Sequence, residues 1–169
     1  MKEEIVIAGF GGQGVLSMGK ILAYAGLMNN LEVTWMPAYG PEQRGGTANV
    51  TVILSDAPIS SPVLDQYDTA DKFESKVKPG GTLIYDPYGI HHAPTRTDIK
   101  IVPVDAMDTA LKMNNTKTYN MILLGALLKQ RPIVPTEAVI KGLRKTLPER
   151  HHHLIPLNED AIKAGMALC

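Results

Sequence analysis

Cysteine is almost missing from this sequence: the 169 residues contain one, Cys169. A lone thiol cannot close an internal disulfide, and it cannot supply the four thiolates of an iron–sulfur cluster. An excess of charge of either sign is also missing, because 17 Lys and Arg face 17 Asp and Glu. That leaves no basic surplus with which to displace counterions from a nucleic acid, so no nucleic-acid partner is expected. A chain of zero formal charge also lacks self-repulsion, which suits a subunit that works in association. No stretch approaches the ~20 apolar residues of a membrane span. Met1-Lys2-Glu3-Glu4 leads straight into a strand pattern without an apolar signal segment, and the expected location is the cytoplasm. What remains is ordinary globular composition, 44% hydrophobic and 20% charged. The length fits one domain over 1–169 that buries its own core.

Ile5-Val6-Ile7-Ala8 is a short apolar run of the kind found in buried strands. A glycine-rich turn ends it. Val15, Met18, Ile21, Leu22 and Ala25 then recur at three- and four-residue steps, the face of a helix that runs out at Asn29-Asn30. Val33-Thr34-Trp35-Met36 reads as a second strand, giving a βαβ opening. Residues 37–46 read as a loop, and Asn49 to Leu54, rich in β-branched residues, as a third strand. Further on, the pattern predicts a helix over Ala70–Val77, strands at Thr82–Tyr85 and Ile99–Val104, and a short helix after Asp105 as its N-cap. Helices are expected over Tyr119–Leu128 and Thr136–Leu147, and a last one capped by Asn158. Strands alternating with helices predict an α/β fold, a three-layer αβα sandwich on a mostly parallel sheet with a Rossmann-like opening unit.

Gly9-x-Gly11-x-x-Gly14 has the spacing of a dinucleotide-binding turn and lies between strand and helix, as such a turn requires. Glycines permit the tight turn, and amides at a helix start suit an anion. The reading as an NAD site lacks its acid, however. Trp35-Met36-Pro37 stands where the ribose-binding carboxylate belongs, and Glu32 lies at the wrong end of the strand. Gln13 beside two glycines goes beyond that fingerprint.

The second loop, Tyr39-Gly40-Pro41-Glu42-Gln43-Arg44-Gly45-Gly46, places an acid and an arginine among turn residues. Arg44 offers a planar fork of donors for a carboxylate or phosphate, and Glu42 could orient it or pair with a neighbouring chain. The plain alternative is a solvated turn with an exposed ion pair worth ~0–1 kcal/mol.

Taken together, the two loops resemble those of the gamma subunit, or gamma-like domain, of the 2-oxoacid:ferredoxin oxidoreductases. Gly9 to Gly14, Gly40 to Gly46 and Pro58-Ile59-Ser60-Ser61-Pro62 follow that family's order and separations. Asn120-Met121 with Leu124-Gly125, and Asn158 with Ala161 and Gly165, resemble its C-terminal signatures. One departure stands out. After Asp68 the family runs into an apolar strand, whereas here Thr69 passes almost directly into Ala70-Asp71-Lys72-Phe73-Glu74. The alternatives are a deletion that removes a strand from the sheet, or a segment left out of the sequence.

The resemblance implies a heteromeric enzyme that oxidatively decarboxylates a 2-oxoacid to an acyl-coenzyme A and reduces ferredoxin. Thiamine pyrophosphate, its magnesium ion and the iron–sulfur clusters would sit on partner alpha, beta and, if separate, delta subunits. This chain has neither the cysteines nor the thiamine-binding pattern, and no catalytic residue is assigned to it. Its candidate contacts to coenzyme A or to partner chains are Gly11, Gly12, Gln13, Gly14, Tyr39, Gly40, Pro41, Glu42, Arg44, Gly45 and Gly46. The small subunit of an indolepyruvate-type oxidoreductase, or a free-standing Rossmann-like module for a dinucleotide or another phosphate ligand, are the alternatives. His151-His152-His153 and His91-His92 lack a carboxylate at ligand spacing and read as exposed polar clusters rather than a metal site.

Overall fold

The computed structural model describes residues 1–40, 46–61, 74–90 and 92–169. Two compact units are present: Met1–Asp68 with Ile133–Ile155, and Thr69–Pro132 with Pro156–Cys169.

In the first unit, β1 (Lys2–Phe10) leads into helix α1 (Val15–Met28), then β2 (Glu32–Tyr39) and β3 (Thr47–Ser55). The apolar face expected for α1 is the one that packs: Val15, Met18, Ile21, Leu22 and Ala25 are all buried. Its end is also as expected, with Asn29 as C-cap and Asn30 next to it in the left-handed region, φ 57°. α1 lies on the sheet face that carries Val50 and Leu54; Gly19 and Gly26 let it come close to those side chains. Helix α4 (Thr136–Thr146) packs on α1 in turn.

The sheet corrects the expected parallel order. β1 and β2 both pair with β3, and both pairings are antiparallel, giving the order β1-β3-β2. β1 and β2 therefore run the same way but are split by β3. The physical reason is the short 40–46 connection. Antiparallel neighbours can be joined by a tight loop, whereas parallel neighbours need a crossover of a dozen residues or more. β2 also continues through Pro37, which was expected to end it. Pro37 pairs with Val50 on a strand bonded on one side only. Alternation from the bonded Gly40–Thr47 pair turns its missing N–H away from β3.

The second unit holds the parallel pair β4 (Thr82–Tyr85) and β5 (Lys100–Pro103), both where the pattern placed them. It also holds α2 (Ala106–Lys112), α3 (Tyr119–Gln130) and most of α5 (Ile155–Ala167). Of the helix expected over 70–77, the described part is a 3-10 turn at Glu74–Lys76. Asn158 does not cap α5. The 3-10 helix Glu149–Leu154 runs directly into it, and Pro156 occupies the first turn, where no N–H is needed. The stretch that follows Asp68, up to Phe73, lies outside the described residues, as does His91.

α3 and α5 cross almost in backbone contact. A Cβ on Gly125 would stand 2.0 Å from the Ile162 carbonyl oxygen, and one on Gly165 would stand 1.8 Å from that of Ile122. Each helix thus presents a carbonyl three residues before its own glycine to the glycine of the other. The two glycines of the C-terminal signatures, Gly125 and Gly165, are therefore architectural.

Candidate functional site

β1 ends in a doubly closed turn. The Gln13 N–H donates to the Phe10 carbonyl at 3.1 Å, and the Phe10 N–H donates to Gln13 Oε1 at 2.8 Å. Gly12 takes φ 98°, which the third position of such a turn demands, and Gly14 caps α1 at φ 77°. Gly9 leaves room for the returning side chain, since a Cβ there would lie 2.6 Å from Gln13 Oε1. The close approach expected of these glycines is therefore first an approach by the loop's own glutamine.

The turn is bonded to the second loop. The Gly11 N–H donates to the Gly46 carbonyl at 2.9 Å, extending the β1–β3 register by one pair. On the other side of β3, the Gly40 N–H donates to the Thr47 carbonyl at 2.8 Å. Gly11, Gly12, Gln13, Gly14, Tyr39, Gly40 and Gly46 are thus gathered at one end of the sheet, where β1 and β2 finish and β3 begins. Pro41, Glu42, Arg44 and Gly45 lie outside the described residues.

This arrangement has a chemical consequence. The amides of Gly11 and Gln13, which a phosphate cradle would use, are already spent inside the fold. That argues against the dinucleotide turn. Two aromatic side chains mark the same end: Phe10 is 57% and Tyr39 65% exposed. They pair with adjacent β3 residues, Thr47 and Ala48, and so project to opposite faces of the sheet. Phe10 was not among the sequence candidates. Its signal is only that it fills the variable place between Gly9 and Gly11.

The second unit has its own strand-end turn. Asp86, 7% exposed after β4, accepts the Tyr88 N–H on Oδ1 and the Met107 N–H on Oδ2, both at 2.8 Å. It also accepts the Tyr119 hydroxyl; burial and this carboxylate push the Tyr119 phenol up to about 12. Asp105, the expected N-cap of α2, makes no side-chain cap hydrogen bond, because Asp86 reaches the helix start from β4. Asp86 and Tyr119 are 33 residues apart in the sequence, so their pairing is non-local.

Other polar groups are committed to structure. Arg96 forks onto Asp98 through Nε at 2.8 Å and Nη2 at 2.6 Å, and its Nη1 donates to the carbonyls of Glu74 and Val77. That guanidinium holds the Asp98 carboxyl below its usual range. The His152 Nε2 sits 3.1 and 3.0 Å from the Arg144 and Leu147 carbonyls at the end of α4. Among the described residues, no group of three or more His, Cys, Asp or Glu side chains could hold a metal ion. Among the described residues, no helix is long and apolar enough to cross a membrane either.

Comparison with known proteins adds the following. The family model described as pyruvate ferredoxin/flavodoxin oxidoreductase matches residues 4–168. The ketoisovalerate oxidoreductase subunit VorA of Methanothermobacter marburgensis is 36% identical over 74% of this chain. The match spans 28% of VorA, so the chain corresponds to less than a third of that relative. Among solved structures, the gamma subunit of a keto/oxoacid ferredoxin oxidoreductase from Geobacter sulfurreducens superposes with a TM-score of 0.79 at 26% identity. That likeness covers 97% of this chain and 96% of the other. A 2-oxoglutarate:ferredoxin oxidoreductase from Magnetococcus marinus, with 2-oxoglutarate, coenzyme A and succinyl-CoA bound, gives 0.85 at 26% identity. There the likeness covers 99% of this chain and 31% of that one.

Proposed function

We infer that this chain, which belongs to the pyruvate ferredoxin/flavodoxin oxidoreductase family, is the gamma subunit of a heteromeric 2-oxoacid:ferredoxin oxidoreductase. The complex oxidatively decarboxylates a 2-oxoacid, passes two electrons to ferredoxin and transfers the acyl group to coenzyme A. Residues 1–169 act in it as one gamma-type domain, in the cytoplasm, with a single family model running through both compact units. Thiamine pyrophosphate, magnesium and the iron–sulfur clusters belong to alpha, beta and delta partners, since one cysteine holds no cluster.

The observation that supports this reading is the Gly11–Gly46 hydrogen bond, which ties the first family-like motif to the last residue of the second. The two motifs face coenzyme A or the partner chains. Arg44 binds an anion there, and Glu42 orients it. Relatives that differ in their named oxoacid fit a subunit whose role is common to all of them, with substrate choice made elsewhere.

Purification from native cells without a tag tests the assembly. A thiamine-binding chain and an iron–sulfur chain should co-elute, and the complex should reduce viologen with coenzyme A and one of several 2-oxoacids. Recovery of a lone protein that binds NAD would overturn the reading. For the site, Arg44→Ala in the assembled complex should weaken coenzyme A-dependent turnover, and full turnover would remove Arg44 from it.

A further inference from the structure

We propose that the outer edge of β2 is completed by an extended strand of a partner subunit, which adds a fourth strand to the three-stranded sheet of the first unit. The proposal rests on the gamma-subunit reading and names the surface by which that subunit is held.

Gly40 with Thr47 is a bonded pair of the β2–β3 ladder, so the even-numbered residues of β2 turn their main-chain groups toward β3. Those of Val33, Trp35, Pro37 and Tyr39 turn outward. β2 has β3 as its single neighbour, and among the described residues no hydrogen bond reaches the outward groups. Exposure runs along the same edge: Trp35 is 36%, Met36 40% and Tyr39 65% exposed, with Pro37 and Ala38 exposed between them. Natural edge strands are blunted by charge, above all by lysine. From Val33 to Gly40 this one carries no charge. Its one protective device is Pro37, which removes a single outward donor.

The open groups choose the occupant. An extended segment meets the N–H groups of Val33, Trp35 and Tyr39 and the carbonyls beside them at ladder spacing, which a helix does not. A second copy fits less well. A two-fold pairing that uses the whole edge brings two Pro37 residues into one ladder and loses two donors, where a different strand loses one. Glu32 adds a charge at the start of β2; it is exposed and has no ion-pair partner among the described residues. The partner strand is therefore an uncharged run rich in β-branched or aromatic residues, with a Lys or Arg beside Glu32. Its side chains cover Trp35 and Tyr39 on the α1 face of the sheet and Met36 on the other.

Hydrogen exchange resolved by residue, in the assembled complex and in the free chain, tests this. The amides of Val33, Trp35 and Tyr39 should slow about tenfold or more on assembly. Those of Thr34, Met36 and Ala38, already bonded to β3, should change little. Slowing at every second residue separates strand addition from docking by side chains alone. Val33→Pro removes one outward donor and leaves the β3 ladder whole, as Pro37 does in the native strand. Set against Val33→Ala, it should raise about three- to tenfold the concentration at which the complex releases this chain on dilution, the worth of one net hydrogen bond. Tyr39→Pro against Tyr39→Ala repeats the comparison at a more exposed position, where little packing is lost. Equal release by the proline and alanine variants, or outward and inward amides that slow together, would overturn the proposal and leave the gamma-subunit reading standing. The alternating pattern in a dimer of the free chain would assign the edge to a second copy and overturn it too. A native preparation without any co-eluting partner chain would overturn the gamma-subunit reading, and the partner strand with it.

Discussion

Glycine does different work in the two units. At the α3–α5 crossing, the atoms that exclude a Cβ from Gly125 and Gly165 are main-chain carbonyl oxygens of the facing helix. At the end of β1, the nearest atoms to a Cβ on Gly9 are side-chain atoms of Gln13 and Val15. A carbonyl in a helix cannot step aside without moving the helix, whereas a glutamine can rotate. The first arrangement fixes architecture and the second leaves a site adjustable, although in sequence both are glycines in recurring motifs.

The largest expected effect lies at the crossing. Gly165→Ala or Gly125→Ala must push two helices apart, which costs about 3 kcal/mol or more. Thermal unfolding should show a large fall in midpoint for either variant. A change below about 1 kcal/mol would mean that the crossing yields readily, and the contrast between the units would collapse.

Next comes the Asp86 clamp, the second unit's counterpart of the Gln13 turn. Both accept a main-chain N–H near a strand end, but Asp86 is buried and also serves Met107 and Tyr119. Asp86→Ala leaves the amides of Tyr88 and Met107 without their acceptor, and charge-assisted bonds of this kind are worth about 1.5–3 kcal/mol each. Allowing for water that reaches an opened site, a loss of about 2–3 kcal/mol is expected in denaturant unfolding. A loss as small as that from Gln13→Ala would erase the distinction between the clamp and the turn.

Much of this was legible in sequence, for reasons that differ by element. The α1 face could be read because its period is local and every residue on it packs. The two loops could be read as a pair from their resemblance, yet their bonding through Gly11 and Gly46 depends on β3 lying between β1 and β2. Strand order is non-local, and a strand–helix–strand pattern is compatible with either neighbour. The one local clue was the short 40–46 connection, which favours a hairpin. Pro37 misled because its breaking power depends on which way its nitrogen points. The Asp86 clamp was not legible because its partners are 21 and 33 residues away, at Met107 and Tyr119.

Tyr119 offers a pH handle on the same clamp. Its folded pKa, raised to about 12 from 10.0, favours the neutral phenol, first through burial and then through Asp86. The stabilisation is therefore complete below pH 10 and is lost as pH rises through about 12. Two units would correspond to about 2.7 kcal/mol, and partial exposure of the ring reduces this to about 1 kcal/mol. Stability measured between pH 9 and 12 should fall accordingly in the wild type, with this component absent in Tyr119→Phe. An identical slope in both would detach Tyr119 from the clamp.

The smallest effect is the most telling for the comparison. Gly9→Ala meets a movable obstacle, so its cost should be the lost Gln13–Phe10 hydrogen bond plus a slight repacking of Val15, about 1 kcal/mol. Once Gln13 is already alanine, only the Val15 contact at 2.9 Å is left to resist the methyl. In a double-mutant cycle, Gly9→Ala should then cost only a few tenths of a kcal/mol in the Gln13→Ala background, a coupling of about 0.5–1 kcal/mol. Strict additivity would show that the main chain, not the glutamine, refuses the methyl group at Gly9. In that case the β1 turn would be as fixed as the α3–α5 crossing.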